Sequence, residues 1–136
     1  LEYNQNMSTI GDMRGRKIKI EFPKDKFKVL LKVIGKEDSK DLTFTELKKL
    51  FLLTVKDFQS GKLSLVEMSE IASSLWKPPV EMNTDEEKEL NEILLSASEL
   101  NFYVRRILDI KPEGKTFVWF MTDVVTYFEK NKKFLD

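Results

Sequence analysis

The chain has 136 residues, with 23 Lys+Arg balanced by 23 Asp+Glu and with neither Cys nor His; this length can bury one hydrophobic core without covalent staples. The missing Cys excludes a disulfide framework and a thiolate zinc site, and the missing His removes the commonest imidazole ligand and acid/base group. An apolar content of 41% with 10 Phe, against only 5 Gly and 4 Pro, belongs to a folded domain rather than a disordered chain.

Residues 1–13 are polar and contain no signal-peptide core, so they are expected to be a flexible leader outside the fold, leaving 14–136 as a single helical domain. Lys17-Ile18-Lys19-Ile20-Glu21-Phe22 alternates and predicts a short extended segment at 17–22. A lone strand needs a partner. It can pack on helices as an arm, pair with a short strand that the pattern does not reveal, or add to the sheet edge of another chain. Pro23 opens a first helix in which Phe27, Leu30, Leu31 and Ile34 recur at helical spacing, and Gly35 is placed to end it.

Two stretches then follow one rule. In Leu42-Thr43-Phe44-Thr45-Glu46-Leu47 and in Leu63-Ser64-Leu65-Val66-Glu67-Met68, a hydroxyl residue precedes by three positions a Glu that can reach back to it, with apolar residues on either side. These capping boxes fix the starts of two helices, Thr43 to about Ser60 and Ser64 to about Lys77, joined by the tight turn at Ser60-Gly61. Leu47, Leu50, Phe51, Val55 and Phe58 line the first, with Phe44, Leu52 and Leu53 widening the stripe enough to predict burial on more than one side. Leu65, Met68, Ile71, Ala72 and Leu75 line the second, which Pro78-Pro79 stops. A third cap, Thr84-Asp85-Glu86-Glu87, predicts a long helix through about Ile110 with Leu90, Ile93, Leu94, Ala97, Leu100, Val104 and Leu108 facing inward. The last segment, Lys115 to about Lys133, is read as helix. Its start, Thr116-Phe117-Val118-Trp119-Phe120, would also suit a strand. The resulting expectation is an all-α, single antiparallel bundle of four to five helices.

The zero net charge conceals two opposed halves. Residues 1–62 carry 14 Lys+Arg against 9 Asp+Glu, and residues 63–136 carry 9 against 14. Basic residues concentrate between Arg14 and Lys36, and acids between Glu81 and Glu99. The two blocks can steer charged partners or attract each other inside the molecule.

No motif for catalysis is present. Walker, dinucleotide and serine-elbow patterns are missing, and di-iron bundles require Glu-x-x-His motifs that a chain without His cannot supply. Glu89 with Glu92, or Glu86 with Glu89, sits at helical spacing suited to a hard cation or acid/base work, against the simpler reading of a solvated first turn. The expectation is no catalytic residue, no metal and no cofactor.

Phe58-Gln59-Ser60-Gly61-Lys62-Leu63-Ser64-Leu65-Val66-Glu67-Met68, followed by a helix ending at Trp76 and a long helix starting among acids, resembles the small helical immunity proteins of the colicin D type. Their pattern is an apolar helix, a Ser-Gly-x-Ile/Leu-Ser turn, an acidic-apolar helix and a further helix, matched here over roughly residues 47–108. The resemblance implies a bacterial, cytoplasmic, non-enzymatic inhibitor that neutralises a cognate toxin, often a nuclease, by covering its basic cleft. The acids positioned for such a protein partner are Glu81, Asp85, Glu86, Glu87, Glu89 and Glu92, able to occupy a site built for phosphates. The alternative is a nucleic-acid-associated or regulatory helical protein using Arg14, Arg16, Lys17, Lys19, Lys24, Lys26, Lys28 and Lys32. No membrane partner is expected. A homodimer through the 17–22 arm or the aromatic run near Trp119 is a further expectation.

Overall fold

A computed structural model describes the backbone of residues 8–11, 17–20, 22–77, 82–106 and 114–136, and the side chains of 22–77, 82–100 and 118–136. Five helices dominate it: α1 (Lys24–Val33), α2 (Phe44–Gln59), α3 (Leu65–Leu75), α4 (Asp85–Arg106) and α5 (Gly114–Asn131), followed by a 3₁₀ turn at Lys132–Leu135. The chain is an all-α helical bundle. Ahead of it, β1 (Ser8–Gly11) and β2 (Lys17–Ile20) form a two-stranded antiparallel ladder in which Ser8 is opposite Ile20 and Ile10 opposite Ile18. The extended segment at 17–22 therefore finds its partner in its own chain. That partner lies within the stretch set aside as a leader, where four residues containing one isoleucine are too few for alternation to register.

The helix ends follow from the local chemistry. Thr43 Oγ1 accepts from the Glu46 N–H at 3.1 Å while Glu46 Oε1 accepts from the Thr43 N–H at 3.0 Å, and Ser64 and Glu67 repeat the exchange at 3.1 and 2.8 Å. At the other ends, Gly35 (φ +77°) and Gly61 (φ +88°) adopt the left-handed conformation that closes α1 and α2. The Lys36 N–H reaches the Leu31 carbonyl and the Lys62 N–H reaches that of Asp57, each closing a Schellman turn that satisfies otherwise orphaned acceptors. The backbone of 116–120 is helical, which resolves the ambiguity at the start of α5. Residue 34 joins the first turn after α1, and α3 stops at Leu75 because Trp76 is already extended.

The width of the α2 stripe has the predicted consequence. Leu50, Phe51, Leu52 and Val55 are fully buried, and α2 touches α1, α3, α4, α5 and the terminal turn. Residues 50, 51 and 52 point in three directions around the helix, so only a central helix can bury all three. Phe27, Leu30, Met68, Ile71, Leu90, Leu94, Leu100, Val124 and Phe128 complete the core around it. Phe22 stacks edge-on against Phe27 at 5.2 Å and ties the entry of α1 to this core.

The sense of the α3–α4 pair is set by two polar contacts. Ser69 Oγ donates to the carbonyls of Ala97 and Ser98 at 2.7 and 3.0 Å, whereas the Lys77 N–H, two residues beyond the end of α3, meets Asn91 Oδ1, earlier on α4. Moving forward on one helix is moving back on the other. The two helices run antiparallel, with a small residue at their closest polar contact. Among the described residues no helix is long and apolar enough to cross a membrane.

Candidate protein-binding surface at the start of α4

Five of the six acids selected from the sequence lie between residues 85 and 92 of α4, but the fold gives them different tasks. Thr84 Oγ1 accepts from the Glu87 N–H at 3.1 Å, and Glu87 Oε1 accepts from the N–H groups of Thr84 and Asn83 at 3.0 and 2.9 Å. Glu87 is therefore a capping residue. The backbone N–H of Asn83, then that of Thr84, holds its carboxyl below the ordinary carboxylate range. Glu89 is bound to Lys130 of α5 at 2.8 Å and so joins two helices. Glu81 lies outside the described residues.

Asp85, Glu86 and Glu92 remain. All three are exposed, and none forms an ion pair among the described residues. Asp85 and Glu92 stand seven residues apart, two turns along one stripe of α4, with Glu89 between them. Glu86 faces the α5 side, where both it and Glu89 act on Tyr127. Burial first, then Glu89 and Glu86, raises the Tyr127 phenol well above its ordinary pKa. The negative surface is thus narrower than the sequence suggested. Among the described residues its unpaired part is three carboxylates on the first turns of α4, an arrangement of charge suited to a cationic partner. Among the described residues no group of three or more Asp or Glu side chains is arranged to hold an ion.

Leu42, Phe44, Leu47, Leu75 and Leu90 line a small cleft of about 120 Å³. Trp76 and Leu95, with Lys88 and Glu92, line a hollow of about 220 Å³ next to it. Asn91 borders both and is only 8% exposed. Sequence reasoning missed Asn91 because a polar residue next to Leu90 breaks no helical pattern. Tyr127 and Ser69 were missed for another reason: their burial depends on neighbouring helices.

The basic set is also divided. Lys26 pairs with Glu67 at 3.0 Å, and Lys36, just beyond α1, pairs with Glu46 at 3.3 Å. Lys24, Lys28 and Lys32 recur every fourth residue on α1, exposed and without an ion pair among the described residues. Lys17 and Lys19 belong to β2 by backbone, while Arg14 and Arg16 lie outside the described residues. No ion pair among the described residues joins the basic block at 14–36 to the acidic block at 81–99. Comparison with protein-family models, with curated proteins and with solved structures finds no match to this chain.

Proposed function

We propose that this chain is a non-enzymatic protein-binding module, an inhibitor of the immunity type that neutralises a basic bacterial toxin in the cytoplasm. The observation supporting this reading is the trio Asp85, Glu86 and Glu92 on the first turns of α4, exposed and without an ion pair among the described residues. The helix N-terminus draws acids to this end, and three of them are left with charge directed at solvent. Such a surface speeds encounter with a cationic cleft and sets register more than it adds affinity. Within the resembling stretch, the Ser64–Glu67 capping box and the Gly61 turn hold α3, against which α4 packs.

The test is titration calorimetry against a basic nuclease toxin domain, using Asp85→Lys, Glu86→Lys and Glu92→Lys together. Glu87 and Glu89 are left alone because they hold the fold. Exposed pairs are worth about 0.2–1 kcal/mol each, so removing three costs about 0.6–3 kcal/mol and is expected to weaken binding by roughly 3- to 150-fold at low salt. Equal affinity of variant and parent, with circular dichroism unchanged, would sink the proposal.

A second reading is favoured by the unpaired row Lys24, Lys28 and Lys32, whose positions repeat about every 6 Å along α1. It is electrostatic association with nucleic acid. Neutralising all three to Gln should flatten the dependence of log affinity on log salt by roughly 2–3 for duplex DNA. An unchanged slope would discard it.

A further inference from the structure

Asn91 is buried with half of its amide unused. Its Oδ1 accepts from the Lys77 N–H at 3.2 Å, but its Nδ2, which carries two donors, meets no acceptor among the described residues. Buried donors are almost always satisfied, so one left open between two hollows points to a missing acceptor. The cleft on one side is walled mainly by Leu42, Phe44, Leu47, Leu75 and Leu90, with Lys77 and Glu87 at its edge, and holds about 120 Å³, less than the roughly 150 Å³ cavity that admits benzene. Its size therefore suits one aliphatic side chain. The hollow on the other side offers the half-buried Trp76 ring and the exposed Leu95, with Glu92 and Lys88 at its edge.

An extended peptide matches this sequence of features. It presents a carbonyl at every residue and directs successive side chains to opposite sides, about 3.3 Å apart along the chain. We infer that the groove centred on Asn91 binds an extended segment of a protein partner. An aliphatic side chain enters the Leu42–Phe44–Leu47–Leu75 cleft, a backbone carbonyl accepts from Asn91 Nδ2, and a following basic side chain reaches Glu92 past Trp76. This assignment rests on the protein-binding reading above and specifies what the partner presents. A free aliphatic molecule would leave the Asn91 donors unmet, and an acidic segment would be repelled by Glu92.

The experiment is a titration of the ¹⁵N-labelled full chain with two blocked peptides at millimolar concentration, acetyl-Ala-Leu-Ala-Arg-amide and acetyl-Gly-Gly-Gly-Arg-amide. The Asn91 side-chain amide and Trp76 indole signals are followed by NMR. Saturable shifts of both signals with the leucine peptide, and none with the glycine peptide, are expected. Asn91→Asp keeps the acceptor for the Lys77 N–H and removes both donors, and should weaken binding at least ten-fold. Leu47→Trp fills the cleft from a half-buried position without touching the amide and should do the same, which keeps the test valid if the buried carboxylate of Asn91→Asp unfolds the chain. Absence of a saturable Asn91 shift, equal response to both peptides, or full affinity in both variants would overturn the groove. If a basic protein still binds through Asp85, Glu86 and Glu92 in those variants, the groove fails and the acidic surface stands. If the leucine peptide binds with an affinity indifferent to salt and to reversal of those three charges, the groove stands and the acidic surface fails.

Discussion

Removing the Ser64 hydroxyl isolates a single cap at the turn between α2 and α3. In Ser64→Ala, the Glu67 N–H loses its 3.1 Å acceptor, while the Ser64 N–H keeps the 2.8 Å bond to Glu67 Oε1 because that donor is backbone. Half of the capping box survives. Losing a Ser cap costs about 1 kcal/mol, within a range of roughly 0.5–2. Unfolding entropy of about 2.1 cal/mol/K per residue over 136 residues gives roughly 0.3 kcal/mol/K, so the melting temperature should fall by about 3–4 °C. Thermal melts by circular dichroism measure this directly. The internal control is Ser73→Ala, an exposed position within the same helix, where the better helix propensity of Ala should leave stability equal or slightly higher. A shift below about 1 °C for Ser64→Ala, or an equal fall for Ser73→Ala, would refute the claim that the hydroxyl stabilises by position rather than by residue type.

The remaining predictions concern charge and backbone. The carboxyls of Glu46, Glu67 and Glu87 all lie below their ordinary range in the folded state: the Thr43 N–H leads at Glu46, the Asn83 N–H at Glu87, and at Glu67 the Ser64 N–H and Lys26 outweigh a burial that alone would raise it. A depressed folded pKa contributes stability above the unfolded value, 4.5 for these groups, and loses it as pH falls through the folded value. Urea midpoints should therefore decline below about pH 4.5, and less steeply in Glu67→Gln; parallel profiles would contradict this. Tyr127 has the opposite sign, since burial, then Glu89 and Glu86, hold its folded pKa above the ordinary 10.0. Its contribution is complete below pH 10 and lost as pH rises. The phenolate absorbance of the parent minus that of Tyr127→Phe should stay flat through pH 10 in the folded protein, and an ordinary titration would show the ring to be solvated. Gly61→Ala meets no atom within 4 Å but must hold φ +88°, a left-handed conformation that costs a side chain about 1–2 kcal/mol. A melting temperature unchanged by this substitution would mean the turn relaxes freely.

The parts of the fold legible in sequence were those encoded by near neighbours. Thr43 with Glu46, Ser64 with Glu67 and Thr84 with Glu87 each lie three residues apart, so the bonds that define them form whatever the rest of the chain does. The same holds for Gly35 and Gly61, whose freedom at positive φ is a property of one residue. The pairing of β1 with β2 was not legible because it joins two four-residue segments, one of them almost without apolar pattern. The burial of Tyr127 was equally hidden. Its phenol could face either way until α4 brought Glu86 and Glu89 beside it, and helical spacing favoured Phe128 equally well. For the candidate acids, sequence placed Asp85, Glu86, Glu87, Glu89 and Glu92 on the α4 helix but could not separate capping from paired or unpaired carboxylates, since all of them prefer the first turns of a helix.

That separation bears directly on how a partner could be recognised. An acid already holding backbone N–H groups, as Glu87 does, cannot leave them without uncapping α4, and Glu89 cannot leave Lys130 without loosening the contact between α4 and α5. Charge that is committed inward still contributes to the field outside, but not to a contact. On the proposed reading, direct pairing with a partner's cation falls to Asp85, Glu86 and Glu92, while Glu87 caps the helix on which those three stand and Glu89 ties it to α5. Charge reversal at the second pair would lower binding by disturbing the scaffold; reversal at the first three would lower it with the melting temperature unmoved. Measuring affinity and stability on both sets separates a surface that recognises a partner from acids that merely begin a helix.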